Sequence, residues 1–188
     1  MILYLHGFRS SPQSHKATQL HEHLAARGLA HLYRCPQLPP SPREAIAVAQ
    51  REMAAAGSPV TLVGSSLGGY YATWLAEAHG CRAVLVNPAV VPHLEAAPLL
   101  GMQTNLYTGE RFEFMRAHVA ELAAIEVTRI TRPERYWLMV ETGDEVLDYR
   151  LAVAKFAGAR QTVIEGGEHG FAHWPEVLDE LVRFGVAA

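Results

Sequence analysis

Val60-Thr61-Leu62-Val63-Gly64-Ser65-Ser66-Leu67-Gly68 is a short apolar run that ends in G-x-S-x-G, and a helical stretch, Tyr70 to His79, follows it. A strand before this motif and a helix after it are the setting in which its serine acts as a nucleophile. The serine must stand on a very sharp turn, so that its hydroxyl projects clear of the backbone. That turn presses the flanking residues together, and Gly64 and Gly68 leave room where a Cβ would clash. The helix beginning there aims its first amides at the site, where they can stabilise an oxyanion. Ser66 is therefore the expected nucleophile. Ser65 occupies the variable position of the motif and is given no chemical role.

Working outward, the same kind of apolar run recurs at Ile2 to Leu5, Leu29 to Tyr33, Ala83 to Val86, Tyr136 to Val140 and Thr162 to Ile164. Continuous apolar runs suit strands buried on both faces, as in a parallel sheet. Helical periodicity fills the gaps: Ser14 to Arg27, a helix capped by Ser41 with Pro42 and Glu44 behind it, Ser66 to His79, Asp148 to Phe156, and Pro175 to Val186. The alternation predicts a doubly wound, mainly parallel six-stranded sheet with helices on both faces, and together with the serine motif it points to an α/β-hydrolase fold. One stretch breaks the rhythm. Pro88 to Arg132 shows no good strand, and its part from Arg111 to Leu122 reads as a helix. It is expected to be a lid-like insertion, residues 88–132, in a single domain spanning 1–188. Leu99, Leu100, Met102, Phe112 and Phe114 would either contact an acyl group or pack the insertion onto the sheet. Arg9 and Arg111 would be solvated, or meet a charged end of a substrate.

In this fold the acid follows the strand before the last, and the base comes after the last. His169 lies in Gly166-Gly167-Glu168-His169-Gly170-Phe171, behind the final apolar run, where glycines let the loop fold over the sheet edge. His173 is the rival, expected instead at the start of the closing helix. The run Tyr136 to Val140 leads into Gly143-Asp144-Glu145-Val146-Leu147-Asp148. Asp144 is the expected acid, with Glu145 second; Asp148 better suits a helix cap. The acid would hold the imidazole of His169 in the right tautomer and stabilise its charged form. The order Ser66, Asp144, His169 matches the α/β-hydrolase order and no other common serine-hydrolase order. His6-Gly7-Phe8, behind the first strand, stands where such a sheet supplies an oxyanion amide. The amides of Phe8 and Leu67 are the nominated pair, and His6 is expected to order the loop.

Composition is that of an ordinary globular protein, with 49% hydrophobic and 19% charged residues and a formal net charge of -3. No run of Lys or Arg suggests nucleic acid or a membrane patch. The two cysteines, Cys35 and Cys81, lack metal-ligand spacing and are expected to be reduced thiols. No stretch reads as a signal peptide or a membrane span, which makes the cytoplasm the expected location. G-x-G-x-x-G is absent after the first strand and no Lys follows Gly68-Gly69, which disfavours a nucleotide-binding domain.

Longer motifs extend the case. Tyr4-Leu5-His6-Gly7-Phe8, Ser10-Ser11-Pro12 and Lys16-Ala17 precede the serine motif. Val86-Asn87-Pro88-Ala89-Val90, Tyr107-Thr108-Gly109, Thr142-Gly143-Asp144-Glu145-Val146-Leu147-Asp148-Tyr149 and Gly166-Gly167-Glu168-His169 follow it. With these the chain resembles the YqiA-like esterases, small bacterial α/β-hydrolases, over nearly its whole length. The resemblance implies hydrolysis of small acyl esters in the cytoplasm, no metal or other cofactor, and Ser66, Asp144 and His169 as the triad. Arg9 stands where such sequences often carry Asn, a change of charge at the pocket mouth. The expected partner is a small-molecule acyl ester or thioester. A thioesterase or another acyl hydrolase on the same triad, and a catalytically silent binding module, are the alternatives.

Overall fold

Every residue of Ile2–Leu5 (β1), Thr61–Ser65 (β3) and Tyr136–Glu141 (β7), and all but the first of Arg82–Val86 (β4), is buried. Such strands need cover on both faces, and a computed structural model, which describes residues 1–186, supplies it. The last two residues of the expected 1–188 domain lie outside the described residues. Tyr33–Arg34 (β2) and Arg160–Ile164 (β8) form the edges of a six-stranded sheet in the order β2-β1-β3-β4-β7-β8. All of its pairings are parallel.

The period of two along each strand sorts side chains to the two faces. Leu3, Leu5, Leu62, Leu85 and Leu138 join one core, under Pro42–Ala55 (α2) and Leu67–His79 (α3). Ile2, Tyr4, Val63, Val84 and Met139 join the other, under His15–Ala25 (α1) and Trp174–Val186 (α7). The connection leaving β1 thus runs over one face toward β2, and that leaving β3 runs over the opposite face toward β4. The crevice at the carboxyl ends of β1 and β3 is where the strand order reverses, the usual binding place in an open α/β sheet.

Two expectations are corrected. The run Leu29 to Tyr33 contributes only its last residue to a strand: Ala30–Leu32 is a single helical turn, and β2 is two residues long. Pro36, Pro39 and Pro40 follow closely and supply no N–H to extend the ladder. The insertion, in turn, holds strands where none was expected. After the short helix Pro92–Glu95 (α4), Gly101–Thr104 (β5) and Arg111–Phe114 (β6) form an antiparallel hairpin. Arg111-Phe112-Glu113-Phe114 alternates charge and aromatic ring, a strand pattern, so the helix starts only afterwards, at Arg116–Ala124 (α5). Tyr149–Lys155 (α6) starts on Asp148, whose side chain accepts the Arg150 amide, and α2 starts on Ser41, which accepts the Glu44 amide. No helix among the described residues is long and apolar enough to cross a membrane.

Candidate active site

Strand β3 delivers Ser66 at its carboxyl end in a conformation that ordinary residues avoid, φ 56° and ψ −122°. The turn closes so tightly that a Cβ on Gly64 would lie 2.3 Å from the Gly68 carbonyl oxygen. A Cβ on Gly68 would lie 1.9 Å from that of Leu5. The glycines of the motif are thus steric necessities. The Ser66 backbone is pinned from both sides: its N–H donates to Val86 O (3.0 Å) and its C=O accepts from Ala89 N–H (3.0 Å).

Of the other two predicted side chains, His169 meets this hydroxyl and Asp144 meets His169. His169 Nε2 lies 3.1 Å from Ser66 Oγ, and its Nδ1 lies 3.0 and 2.9 Å from the two carboxylate oxygens of Asp144. Asp144 Oδ1 also accepts the amides of Val146 and Leu147, both at 2.9 Å. Burial pushes the Asp144 carboxyl up, but His169 and these two amides outweigh it and hold it below the usual Asp value. An anionic Asp144 places the proton of His169 on Nδ1 and leaves Nε2 as a base facing the serine. Glu145, the second-ranked acid, is exposed and accepts the backbone N–H of His169 at 2.9 Å.

Sequence reasoning passed over what holds the His169 loop, namely Glu141 and Asn87. Glu141, the last residue of β7, is fully buried. Its Oε2 accepts the amides of Glu168 (2.6 Å) and Ala172 (3.0 Å). Its Oε1 accepts the amide of His173 (2.9 Å) and lies 2.7 Å from His173 Nδ1. One carboxylate thus gathers the chain on both sides of His169. Burial raises the Glu141 carboxyl, the four donors more than reverse this, and the net shift is downward. His173 is shifted up, chiefly by its bond to Glu141. Gly167, at φ 73°, is required here, because a Cβ would lie 1.9 Å from Glu141 Oε2. Asn87, at φ 40°, donates from Nδ2 to the carbonyls of Glu168 (3.0 Å) and His169 (3.1 Å). Its Oδ1 accepts Glu141 N–H at 3.0 Å. The signal for Glu141 was a carboxylate ending an apolar strand, since a buried charge implies an array of donors.

The loop after β1 closes the other side. His6 is buried, and its Nε2 accepts Leu38 N–H at 3.0 Å, which leaves Nδ1 to donate to Gly7 O (3.0 Å). Burial shifts His6 downward, which favours this neutral form. Gly7 lies against the serine: a Cβ there would be 3.1 Å from Ser66 Cβ. Among the described residues, the amides of Phe8 and Leu67 donate to no protein acceptor; Leu67 follows the serine directly, and Phe8 lines the same cavity as Ser66. A cavity of about 490 Å³ opens at Ser66 and His169, walled by Tyr4, Lys16, Leu106, Tyr107 and Phe171. Behind the loop a second cavity of about 380 Å³ is walled by Leu38, Leu67, Tyr71 and Phe112. Gly7, Phe8, Arg9 and Ser10 border both. Of the insertion residues expected at an acyl group, only Phe112 reaches a cavity. Phe114 is buried in the core, and Leu99, Leu100, Met102 and Arg111 line neither space.

Solved structures share this architecture. A candidate hydrolase from Agrobacterium vitis S4 superposes with a TM-score of 0.78 at 18% identity, over 97% of this chain and 86% of that one. The alpha/beta hydrolase domain-containing protein 10 from mouse gives 0.72 at 16% identity, over 96% and 88%. The monoacylglycerol lipase of Paleococcus ferrophilus gives 0.69 at 17%, over 98% and 94%. At these identities the likeness establishes the α/β-hydrolase fold. A family model described as "Uncharacterised protein family (UPF0227)" matches residues 1–186.

Proposed function

The chain belongs to the UPF0227 family, the family of the YqiA-like proteins, and from that premise we propose that it is a serine esterase acting on small acyl esters through an acyl-enzyme. The observation that carries the reading is the unbroken line Ser66 Oγ, His169 Nε2, His169 Nδ1, Asp144, all within 3.1 Å steps. His169 Nε2 takes the proton of Ser66 as Oγ attacks the ester carbonyl. The carbonyl oxygen, now anionic, is bound by the amides of Phe8 and Leu67, the second at the amino end of α3. The tetrahedral intermediate collapses, and the alcohol leaves with the proton that His169 holds. Water then attacks the acyl-serine, gives its proton to His169, and the acid departs as Ser66 Oγ recovers its proton. Asp144 stays ionised throughout and stabilises the imidazolium. The two cavities on either side of the oxyanion loop are of small-ligand size. They offer separate room for the acyl and alcohol parts.

Turnover of p-nitrophenyl acetate and butyrate, with labelling by a fluorophosphonate, tests this. Wild type is expected to hydrolyse both esters and to be labelled at Ser66, and Ser66→Ala to do neither while staying folded. Ester hydrolysis at the wild-type rate by Ser66→Ala would overturn the assignment. So would folded wild-type protein that resists both the esters and the probe.

A further inference from the structure

The hairpin β5–β6 lends Leu106 and Tyr107 of its turn to the wall of the Ser66 cavity, and it also holds the loop that carries the Phe8 amide at three successive residues. The ring of Phe8 packs edge-on against Phe112 and Phe114, with centroids 5.7 and 5.0 Å away. Arg9 donates from Nε to Thr104 O (3.0 Å), and its own carbonyl accepts Leu106 N–H (2.8 Å). Ser10 O accepts Asn105 Nδ2 at 2.7 Å. Asn105 is buried, and its Oδ1 accepts the amides of Tyr107 and Thr108, at 2.9 and 3.1 Å. It therefore shapes the hairpin turn with one atom and grips the oxyanion loop with the other.

Such a grip has something to hold. Arg9 sits at φ 56°, a left-handed backbone that a non-glycine residue keeps only where its surroundings over-determine it. Only the φ and ψ of Phe8 separate its N–H from that strained residue, so fixing the turn at Arg9 and the ring of Phe8 limits the directions the N–H can take. Gly7, directly before it, already abuts Ser66 and cannot compensate.

We propose that Asn105 is a positioning residue for the oxyanion site, and that the 101–114 hairpin serves as the brace that aims the Phe8 amide at the substrate oxygen. This rests on the serine-esterase reading above. Removing an oxyanion donor outright costs about 10²- to 10³-fold in kcat. A donor that remains but is poorly aimed falls short of that, so loss of the brace is expected to lower kcat roughly 10-fold.

Asn105→Asp separates the two jobs of the residue: its carboxylate still accepts the turn amides but repels the Ser10 carbonyl. Phe114→Leu weakens the ring contact by a different route, at a residue that lines neither cavity, and serves if the first variant does not fold. For each, kcat and KM on p-nitrophenyl butyrate are compared with the inhibition constant of butylboronic acid, which adds to the serine and presents an oxygen to the same amides. The expected result is kcat down roughly 10-fold, KM within about 3-fold, and boronate binding weakened in parallel with kcat. A purely structural role would lower the melting point and move KM without weakening the boronate selectively, and that outcome overturns the proposal. So does wild-type kcat in both variants. If wild type itself hydrolyses no ester, the esterase reading falls first and this one with it.

Discussion

Replacing Glu141 by Gln puts the support of the His169 loop to the test. Each carboxylate oxygen accepts two bonds, from Glu168 and Ala172 on one side and from His173 on the other. Glutamine keeps one oxygen and turns an NH₂ toward the remaining pair. In the better orientation the oxygen faces Glu168 and Ala172. Those two bonds then lose charge assistance, about 1 kcal/mol each, and the part-buried His173 amide loses its acceptor at ~1–3 kcal/mol. The total is about 3–5 kcal/mol, in the range for breaking a buried charged pair. For a domain of this size that lowers Tm by roughly 6–20 °C. Urea melts followed by the fluorescence of buried Trp137 and Trp174 measure it. The pH course carries a second signature. Glu141 has a lowered value when folded, so its contribution is complete above the ordinary carboxylate range and is lost as pH falls through the lowered value. His173 has a raised value, so its contribution is complete below the ordinary histidine value and fades as pH rises through the raised one. Stability should peak between the two in wild type and flatten in Glu141→Gln. A loss under about 1 kcal/mol, with an unchanged pH course, would refute the reasoning.

The strain at Ser66 predicts that Ser66→Gly is more stable than Ser66→Ala. Relief of about 1–3 kcal/mol of backbone strain exceeds the ~0.4–1 kcal/mol gained in unfolded-chain freedom, and paired thermal melts decide it. Asp144→Asn should cost on the order of 10⁴-fold in ester kcat, because the amide no longer imposes the tautomer of His169. The same variant should be less sensitive to acid than wild type: Asp144 has a lowered folded value, so its stabilising share is lost only as pH falls through that value. Gly68→Ala should fail to yield folded protein, since its Cβ would meet the Leu5 carbonyl at 1.9 Å, whereas Gly109→Ala has open space and pays only for its φ of 73°. Circular dichroism of the two purified variants distinguishes them.

What could be read from residues alone followed from short-range rules. The buried strands announce themselves because parallel strands are apolar without interruption, and the turn at Ser66 because only glycine fits beside it. Asp144 and His169 were legible from their places behind successive strands, once the alternation had been recognised. Glu141 carried only the weak signal of a carboxylate ending an apolar strand, and the amides it gathers lie 27 to 32 residues away, where no local pattern points to them. Asn87 stood within a motif but without a task, since its side-chain bonds run to residues 54 to 82 positions away. The hairpin was missed for another reason: Arg111 to Phe114 alternates with period two, but the helix starting at Arg116 absorbed it into one longer window.

The order of the site along the chain has a bearing on synthesis. The hydroxyl belongs to the third strand and the imidazole to a loop behind the eighth, so a growing polypeptide exposes the first long before it contains the second. The sharp turn at residue 66, however, needs Leu5, Val86 and Ala89 in place, and all of these precede the hairpin at residue 101. A nascent molecule can thus complete the strained elbow while remaining chemically inert. On the proposed esterase reading, the site is complete only when α7 docks, with Phe171 and Trp174 seated in the second core beside the loop of His169.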